Sequence, residues 1–278
     1  MVVCRDPDEF LAATTVWGNP VRFTPTRQFR TEVAMRRIGE VTCLRTKATP
    51  TILHMGEATH TPAAFTFSDE GSPTTTRNGI DFRPSELFVY TGAEYYHRVD
   101  HAYGYRNVIV PRELLAVPLG TCRIRPSPRS FQWLRWVHIA AMRSLASQDD
   151  LVRALFACLA TAEDVVPFQD GKQTGAILEF VRDIHTRPDV NERTFRRYCN
   201  RHLGMGPQEY ARMCRLDLAR RDLASADPAQ TLVRDVAQRY GFGRGLKRFA
   251  HSYRQRFGEP PSTTLRNRLS EIVPIAFC

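Results

Sequence analysis

The sequence TLVRDVAQRYGFGRGLKRFAHSYRQRFGEPP, residues 231 to 261, decides the fold of the C-terminal part of this chain. Its first half predicts a short helix from four apolar residues at helical spacing: Leu232, Val233, Val236 and Tyr240. Thr231 is the predicted N-cap, and Gly241 is predicted to end the helix because glycine adopts a positive φ at little cost. Ala237 is small enough for another helix to cross closely over it, and Phe242 is expected to fill the angle between the two helices.

The second half of the stretch predicts a helix that is apolar on one side and basic on the other. The apolar stripe consists of Leu246, Phe249, Tyr253 and Phe257. The opposite side carries Arg244, Lys247, Arg248, His251 and Arg254. Gly258 is predicted to end this helix, and Pro260 and Pro261 prevent its continuation. Two such helices around a glycine turn predict a helix-turn-helix whose second helix enters a DNA major groove. Periodicity alone also allows two amphipathic helices of another helical domain.

The charge distribution favours the DNA-binding alternative. The chain has 278 residues and a net charge of +10, and residues 172–270 hold 20 basic against 10 acidic residues. All of the net charge therefore lies around the predicted helix-turn-helix, as expected for a polyanion-binding domain beside a neutral one. The seven widely spaced cysteines predict neither a disulfide framework nor a zinc site. The sequence has no apolar run long enough to span a membrane, so we expect a soluble, cytoplasmic protein.

The first 120 residues are predicted to be rich in β-strands. The candidate strands are 21–29, 33–38, 41–45, 51–55, 63–67, 79–82, 87–90 and 105–110. Asn78-Gly79 is a strong hairpin turn signal. Many short strands at this spacing indicate a small barrel or sandwich. Two helices, 130–146 and 149–162, are expected to follow, and they pack either on this domain or on a second subunit.

After a polar linker over 166–175, we predict three helices: 176–185, 191–203 and 207–224. An internal repeat relates this segment to the quoted stretch. Phe195, Leu203, Gly204 and Pro207 recur, 54 residues later, as Phe249, Phe257, Gly258 and Pro261. The C-terminal domain is therefore predicted to contain two related helical units.

These residues resemble the AraC/XylS family of bacterial transcription regulators. The resemblance rests on DVAQRYGF (235–242), RFAHSYRQRFGEPPS (248–262) and ERTFRRYCNRHLGMGP (192–207). Residues 78–90 and 105–115 are similar, more weakly, to the cupin-like sensor and dimerisation domains found in that family. The resemblance implies an α+β protein of two domains, a β-barrel or cupin-like domain with two helices over 1–165 and an all-α helix-turn-helix domain over 176–270.

The chain departs from the family pattern at two places. Only residues 186–190 separate the predicted helix 176–185 from Asn191. Either this helix positions the first recognition helix without a glycine turn, or the first helix-turn-helix is broken. The segment before Phe249 is one residue longer than usual and contains Gly243 and Gly245, which could fray the second recognition helix. Because the first unit lacks room for a positioning helix of its own, we expect the second unit to dominate base readout.

The candidate DNA-binding residues lie on the two recognition helices. They are Arg244, Lys247, Arg248 and His251 in the second unit, and Arg193, Arg196, Arg197 and Asn200 in the first. Arginine is suited to guanine because its fork matches two acceptors, although each of these side chains could instead contact phosphate. His54, His60, His97, His101 and Glu94 suggest a cupin-like metalloenzyme, but their spacing forms no tight ligand motif, so no metal, cofactor or catalytic residue is expected.

The sequence thus predicts a non-enzymatic, sequence-specific regulator that binds double-stranded promoter DNA. The expected further partners are a small-molecule effector, a second copy of the chain and, for an activator, RNA polymerase. The alternatives are a cupin-like metalloenzyme with a DNA-binding tail and a DNA binder impaired by its shortened first unit.

Overall fold

The computed structural model describes residues 1–5, 7–13, 21–25, 29–49, 51–55, 62–115, 119–167, 171–186, 188–243 and 245–267. Within them, a β-rich N-terminal part is followed by a helical C-terminal part, so the predicted α+β organisation is confirmed. The strands are β1 (Val2–Cys4), β2 (Val21–Pro25), β3 (Thr31–Ile38), β4 (Val41–Ala48), β5 (Thr51–Met55), β6 (Ala63–Ser68), β7 (Thr75–Arg77), β8 (Ile80–Phe82), β9 (Leu87–Tyr90), β10 (Tyr95–Val99), β11 (Tyr103–Val110), β12 (Cys122–Arg125) and β13 (Asp164–Pro167).

The strands form two antiparallel sheets. The larger sheet has the order β1-β3-β4-β11-β6-β9-β12-β13, and the smaller has the order β2-β5-β10-β7-β8. The inner faces pack on one another through side chains such as Leu44 and Phe88 from the larger sheet and Phe82 and Tyr95 from the smaller. Because the described strands of the two sheets do not pair with each other, the domain is the sandwich of the two predicted alternatives rather than a closed barrel.

Two helices cover the outer face of the larger sheet, α2 (Pro128–Met142) and α3 (Gln148–Ala160). Alternation sends Cys43, Phe65 and Val89 outward, where they pack against Phe131 and Leu134 of α2. Four residues of the predicted α2 stripe are buried: Phe131, Leu134, Val137 and Ala141. The fifth, Leu145, is 75% exposed because α2 ends at Met142 and the chain turns at Ser144, which has a φ of +62°.

The C-terminal part is built from six helices among the described residues. They are α4 (Lys172–Arg182), α5 (Glu192–Leu203), α6 (Pro207–Ser225), α7 (Val233–Arg239), α8 (Leu246–Phe257) and α9 (Pro261–Arg266). One apolar cluster joins α4, α5 and the first half of α6, and another joins the second half of α6 to α7, α8 and α9. The long helix α6 therefore connects two helical units, as the sequence repeat predicts.

Some boundaries differ from the predictions. The predicted linker begins inside β13, which pairs with β12, and α4 starts four residues before the predicted helix at 176. The predicted strands left out β1, β7, β10, β12 and β13. The sequences of β7 and β10, TTR and YYHRV, lack a clear apolar alternation. One further helix, α1 (Pro7–Ala13), packs at the open edge of the sandwich near β1. Among the residues that the structure describes, no helix is long and apolar enough to cross a membrane.

Candidate nucleic-acid interface

The second unit has the helix-turn-helix geometry that its sequence predicts. Gly241 adopts a φ of +80°, and Ala237 and Val236 are each 1% exposed beneath the crossing helix. The Phe242 amide donates to the Ala237 carbonyl at 2.8 Å, and the Phe242 ring lies 5.1 Å from the Phe249 ring. Phe242 therefore fills the angle between α7 and α8, which fixes the direction of the recognition helix.

Two details of the second unit were predicted wrongly. Thr231 does not cap α7: Leu232 occupies the N-cap position, and the Thr231 amide instead donates to the Asp227 carbonyl in a preceding turn. Leu246 is 47% exposed because it is the first residue of α8, beyond the reach of the core. Gly245 takes the N-cap position of α8 without a side-chain hydrogen bond. The recognition helix of the second unit thus begins without a capping side chain.

In the first unit, α4 lies beside the recognition helix despite the short connection between them. Helix α4 packs against the recognition helix α5, since the Phe180 ring lies 5.0 Å from the Phe195 ring and 5.6 Å from the Tyr210 ring. This packing is what the first of the two alternatives requires, in which this helix positions α5 without a glycine turn. Asn191 caps α5 as predicted, because its side chain accepts from the Thr194 amide at 2.8 Å.

The repeat of 54 residues holds in three dimensions. Helices α5 and α8 both have 12 residues, and each ends at a left-handed glycine, Gly204 with a φ of +74° and Gly258 with a φ of +78°. A proline then starts the next helix in both units, Pro207 for α6 and Pro261 for α9. Equivalent positions on the two recognition helices can therefore be compared directly.

The candidate DNA-binding side chains lie on the exposed sides of the recognition helices. Exposed residues of α5 are Arg193, Arg196, Arg197 and Asn200, and exposed residues of α8 are Lys247, Arg248 and His251. Arg244 lies outside the described residues. Within the described part of the chain, none of the basic candidates on either helix forms an ion pair with an acidic side chain. Their charge is therefore available to an external polyanion.

Other arginines of this domain have structural partners instead. Arg256 donates to both carboxylate oxygens of Asp217 at 2.8 and 2.6 Å, which ties α8 to α6. The guanidinium of Arg220 lies 4.9 Å from the Phe257 ring, and that of Arg215 lies 5.7 Å from the Phe242 ring. These contacts separate arginines that hold the fold from those that face outward.

The structure adds Arg254 to the candidates. It is exposed on α8 and occupies the position equivalent to Asn200 on α5, because the two numbers differ by the repeat of 54. The same offset pairs Lys247 with Arg193 and His251 with Arg197. The repeat was visible in the sequence, so applying it to the candidate list would have found Arg254.

The first recognition helix also contacts the N-terminal domain, which sequence reasoning did not foresee. The Tyr96 hydroxyl of β10 hydrogen bonds with His202 Nδ1, and Arg98 donates to the Arg201 carbonyl at 2.8 Å. Thr174 of α4 donates to the Asn78 carbonyl at 3.3 Å. One face of the smaller sheet thus lines the sandwich interior, and its other face contacts the first helical unit.

Burial, together with the charges of Arg201 and Arg98, lowers the pKa of His202 to about 4. The imidazole is therefore neutral near pH 7, and its Nδ1 shares a hydrogen bond with the Tyr96 hydroxyl. The equivalent residue of the second unit is Arg256, which pairs with Asp217 inside the DNA-binding domain. The same repeat position serves contact between domains in one unit and contact within the domain in the other.

The described residues contain no group of three His, Cys, Asp or Glu side chains that could hold a metal ion. His97 is buried in the sandwich interior and His101 is exposed, so these two neighbours do not converge. The side chain of His54 and all of His60 lie outside the described residues.

Comparison with known proteins matches residues 186–267 to a family of helix-turn-helix domains. A probable thc operon regulatory protein of Rhodococcus erythropolis is 45% identical over 64 residues, which cover 23% of this chain and 19% of that protein. The chain thus spans about a fifth of the length of that relative.

Three solved structures are similar at lower identity. The AraC-like transcriptional activator CuxR aligns over 96% of this chain and 99% of its own, with 14% identity and a TM-score of 0.45. ToxT from Vibrio cholerae O395 aligns over 92% of this chain and 99% of its own, with 10% identity and a TM-score of 0.30. A cupin-2 domain from Rhodospirillum rubrum covers 47% of this chain and 91% of its own, with 17% identity and a TM-score of 0.24. From the family match and the paired units described above, residues 186–267 are a helix-turn-helix domain of the AraC type.

Proposed function

We propose that this protein is a sequence-specific, DNA-binding regulator of transcription. The observation that carries the proposal is that both recognition helices expose basic and polar side chains at equivalent positions. Lys247, His251 and Arg254 on α8 repeat the positions of Arg193, Arg197 and Asn200 on α5, and all six are exposed. A surface used only for solubility would not need to recur at equivalent positions of two helices.

The chemistry of this surface suits duplex DNA. Arginine and lysine neutralise phosphates and release counterions, which supplies affinity that falls with salt. Side chains near the N-terminal half of a recognition helix reach base edges, where arginine and asparagine form bidentate pairs with guanine and adenine. In this proposal Arg193, Arg196 and Lys247 contact bases, and Arg254 contacts phosphate at the end of α8.

In this proposal the N-terminal sandwich senses a small-molecule effector and holds a homodimer. The protein acts in the cytoplasm and, if it is an activator, recruits RNA polymerase. Helix α2 supports the dimer because its outer side exposes Trp133, Trp136 and Ile139 at 41, 65 and 36%. These residues follow one another at a spacing of three, so they form one apolar stripe opposite the buried one. Light scattering of the full-length protein should show a dimer. A protein that is strictly monomeric at high micromolar concentration would contradict the proposed homodimer.

The central experiment is selection of random duplex DNA with the full-length protein, followed by sequencing. We expect two adjacent recognition sequences about one helical turn apart, one for each unit. The control is the double variant Arg193→Ala with Lys247→Ala, which should fold normally but lose the selected sequences. Both residues are exposed and lack ionic partners among the described residues, so their removal should not disturb the fold. Enrichment of no sequence, with folded protein, would contradict sequence-specific binding.

A further inference from the structure

The connecting helix α6 joins the two helical units, and one of its sides faces the cleft between them. Along this side lie Gln208, Arg212 and Ala219, because residues four or seven positions apart share one side of a helix. Ala219 is fully buried in the apolar core of the second unit, whereas Arg212 is exposed. The side of α6 that packs under the second unit therefore continues into solvent at Arg212.

This exposed side of α6 extends from one recognition helix to the other. Gln208 lines a groove together with Arg196 of α5. Nη1 of Arg212 donates to Oγ of Ser252 on α8 at 3.4 Å. Ser252 follows Arg248 by about one helical turn, so it lies on the side of α8 that carries this candidate DNA-binding residue. Arg212 thus lies between the candidate DNA-binding side chains of the two units.

The charge of Arg212 is not neutralised within the protein. In the part of the chain that the structure describes, no acidic side chain forms an ion pair with it. The acidic side chains of α6 that face the second unit are already paired, Asp217 with Arg256 and Asp222 with Arg239. Arg212 therefore presents a free positive charge in the cleft, where an external polyanion can reach it.

The next arginine of α6, Arg215, is engaged in packing instead. Its guanidinium lies 5.7 Å from the Phe242 ring centroid, and its Nη1 is 3.1 Å from the position that a Cβ on Gly241 would take. Its Nε donates to the Ala211 carbonyl at 3.3 Å. Arg215 is therefore packed against the turn of the second unit, which leaves Arg212 as the exposed arginine on this side of α6.

The length of α6 is comparable with the spacing of neighbouring major grooves. Its 19 residues span about 28 Å at a rise of about 1.5 Å per residue. Recognition helices that read neighbouring major grooves on one face of a duplex lie about 34 Å apart. A duplex bound by both recognition helices therefore runs along α6, and the backbone between the two major grooves passes the cleft that holds Arg212.

We propose that Arg212 binds a backbone phosphate of the DNA segment between the two recognition sequences. This role of Arg212 rests on the proposed function, because it requires both recognition helices to bind one duplex. One N–H group of the guanidinium is held by Ser252, and its other N–H groups remain available to phosphate oxygens. Arginine suits this contact because its planar fork pairs with a phosphate through two parallel hydrogen bonds.

Binding of the full-length protein to its selected DNA sequence, measured at several salt concentrations, tests the proposal. Arg212→Ala should weaken binding by about 10-fold, the effect of one charge-assisted hydrogen bond. The slope of log affinity against log salt should become shallower by about 0.9, since one phosphate contact is lost. Base preference should stay the same, because a phosphate contact does not read the sequence. An unchanged slope, or a relaxed base preference at the part of the site read by the second unit, would overturn the proposal.

The matched control is Arg221→Ala. Arg221 is exposed on the same helix but lies on its opposite side, because it follows Arg212 by about two and a half turns. The two variants lose the same charge, so a general loss of positive charge would weaken both about equally. We expect Arg221→Ala to keep the affinity and the salt slope of the wild type. Equal losses in the two variants would contradict a specific contact at Arg212.

Neutral methylphosphonates in place of single DNA phosphates locate the contact without any change in the protein, in case Arg212→Ala does not fold. At one position between the two recognition sequences, the replacement should weaken binding of the wild type by about 10-fold. The same replacement should not weaken binding of Arg212→Ala any further, because the contact is already lost. Wild-type binding that tolerates every replacement in this segment would overturn the proposal.

The selection of random DNA separates this contact from the proposed function. A wild-type protein that selects no DNA sequence would contradict sequence-specific binding itself. A wild-type protein that selects a sequence, with an Arg212→Ala variant of unchanged affinity and salt slope, would contradict the phosphate contact alone.

Discussion

The two helical units share one plan, but their recognition helices are held in place differently. In the second unit, Gly241 and Phe242 set the angle of α8 from within the domain, and α8 begins at Gly245 without a capping side chain. In the first unit, α5 has the Asn191 cap and leans on α4, while its C-terminal end contacts the N-terminal sandwich through His202. The second unit is therefore self-contained, and the first depends in part on another domain.

This difference changes the expectation drawn from the sequence. The second unit was expected to dominate base readout because the first lacked room for a positioning helix. Because α4 packs against α5 through Phe180 and Phe195, we predict that the first unit reads bases as well. What remains unequal is how each unit responds to changes in the N-terminal domain, and four substitutions or conditions can test this contrast.

The largest expected effect comes from the self-contained core of the second unit. Phe249 is fully buried between Phe242 and Tyr253, so Phe249→Ala should lower the free energy of unfolding by about 3–5 kcal/mol. The equivalent Phe195 is only partly buried, so Phe195→Ala should cost clearly less. Chemical denaturation of both full-length variants measures the two losses of unfolding free energy. A loss for Phe195→Ala as large as that for Phe249→Ala would contradict this difference between the two cores.

Acidification should weaken the first unit selectively. The pKa of His202 is about 4 in the folded protein and near 6.5 when unfolded, so its contribution is present above about pH 6.5. As the pH falls from 6.5 towards 4, the unfolded or undocked state takes up the proton first, and docking loses about 1–3 kcal/mol. The equivalent position of the second unit holds no histidine but Arg256, which pairs with Asp217.

Hydrogen exchange of α5 and α8 measures this contrast, with His202→Gln compared with wild type at each pH. We expect protection of α5 in the wild type, relative to the variant, to shrink between pH 7 and pH 5 while that of α8 stays constant. His138, whose pKa burial lowers to about 4, also destabilises the whole fold in acid, so the variant is the necessary reference. If the relative protection of α5 does not depend on pH, protonation of His202 does not weaken the docking of α5.

Base readout should be comparable in the two units. Arg193→Ala and Lys247→Ala remove exposed side chains at equivalent positions, and each should relax base preference by about 1–3 kcal/mol at its own part of the site. Arg254→Ala should instead lower the affinity for all sequences about equally, as loss of a phosphate contact does. Binding selections with the three variants decide this, and a uniform loss for Arg193→Ala alone would restore the unequal expectation.

The smallest effect concerns the start of each recognition helix. Asn191→Ala removes the hydrogen bond to the Thr194 amide and should cost about 1 kcal/mol. Gly245→Ala removes no such bond and should cost less than about 1 kcal/mol, the remaining loss arising because glycine is preferred to alanine at an N-cap. Thermal unfolding of the two variants measures both losses of stability. Equal losses would mean that the Asn191 side chain stabilises its helix no more than Gly245 does.

Local patterns in the sequence predicted most of the helical domain. Gly241, Gly204 and Gly258 mark turns because their backbone needs a positive φ, and the spacing of Phe249 and Tyr253 identifies the buried side of α8. The prediction failed where geometry depends on neighbours. Leu246 belongs to the apolar period but lies at a helix end, and Thr231 is a good capping residue that a preceding turn holds elsewhere.

The N-terminal domain shows the same limit more strongly. Its strand content was predicted from short apolar runs, but five strands were missed. Two of them are β7 and β10, where Arg77, His97 and Arg98 interrupt any apolar pattern. These two strands place the buried arginine inside the sandwich and Tyr96 against the recognition helix. The strand that joins the sandwich to the recognition helix was therefore among those that broke the pattern used to find the fold.

By itself, the sequence determined the two-part organisation, the helix-turn-helix of the second unit and the cationic face of each recognition helix. These follow from periodicity, glycine conformation and charge, which act over a few neighbouring residues. Only the tertiary structure decided that α4 packs against α5 and that His202 joins the two domains. Those facts depend on contacts between residues about 15 to 106 positions apart, which no local pattern encodes.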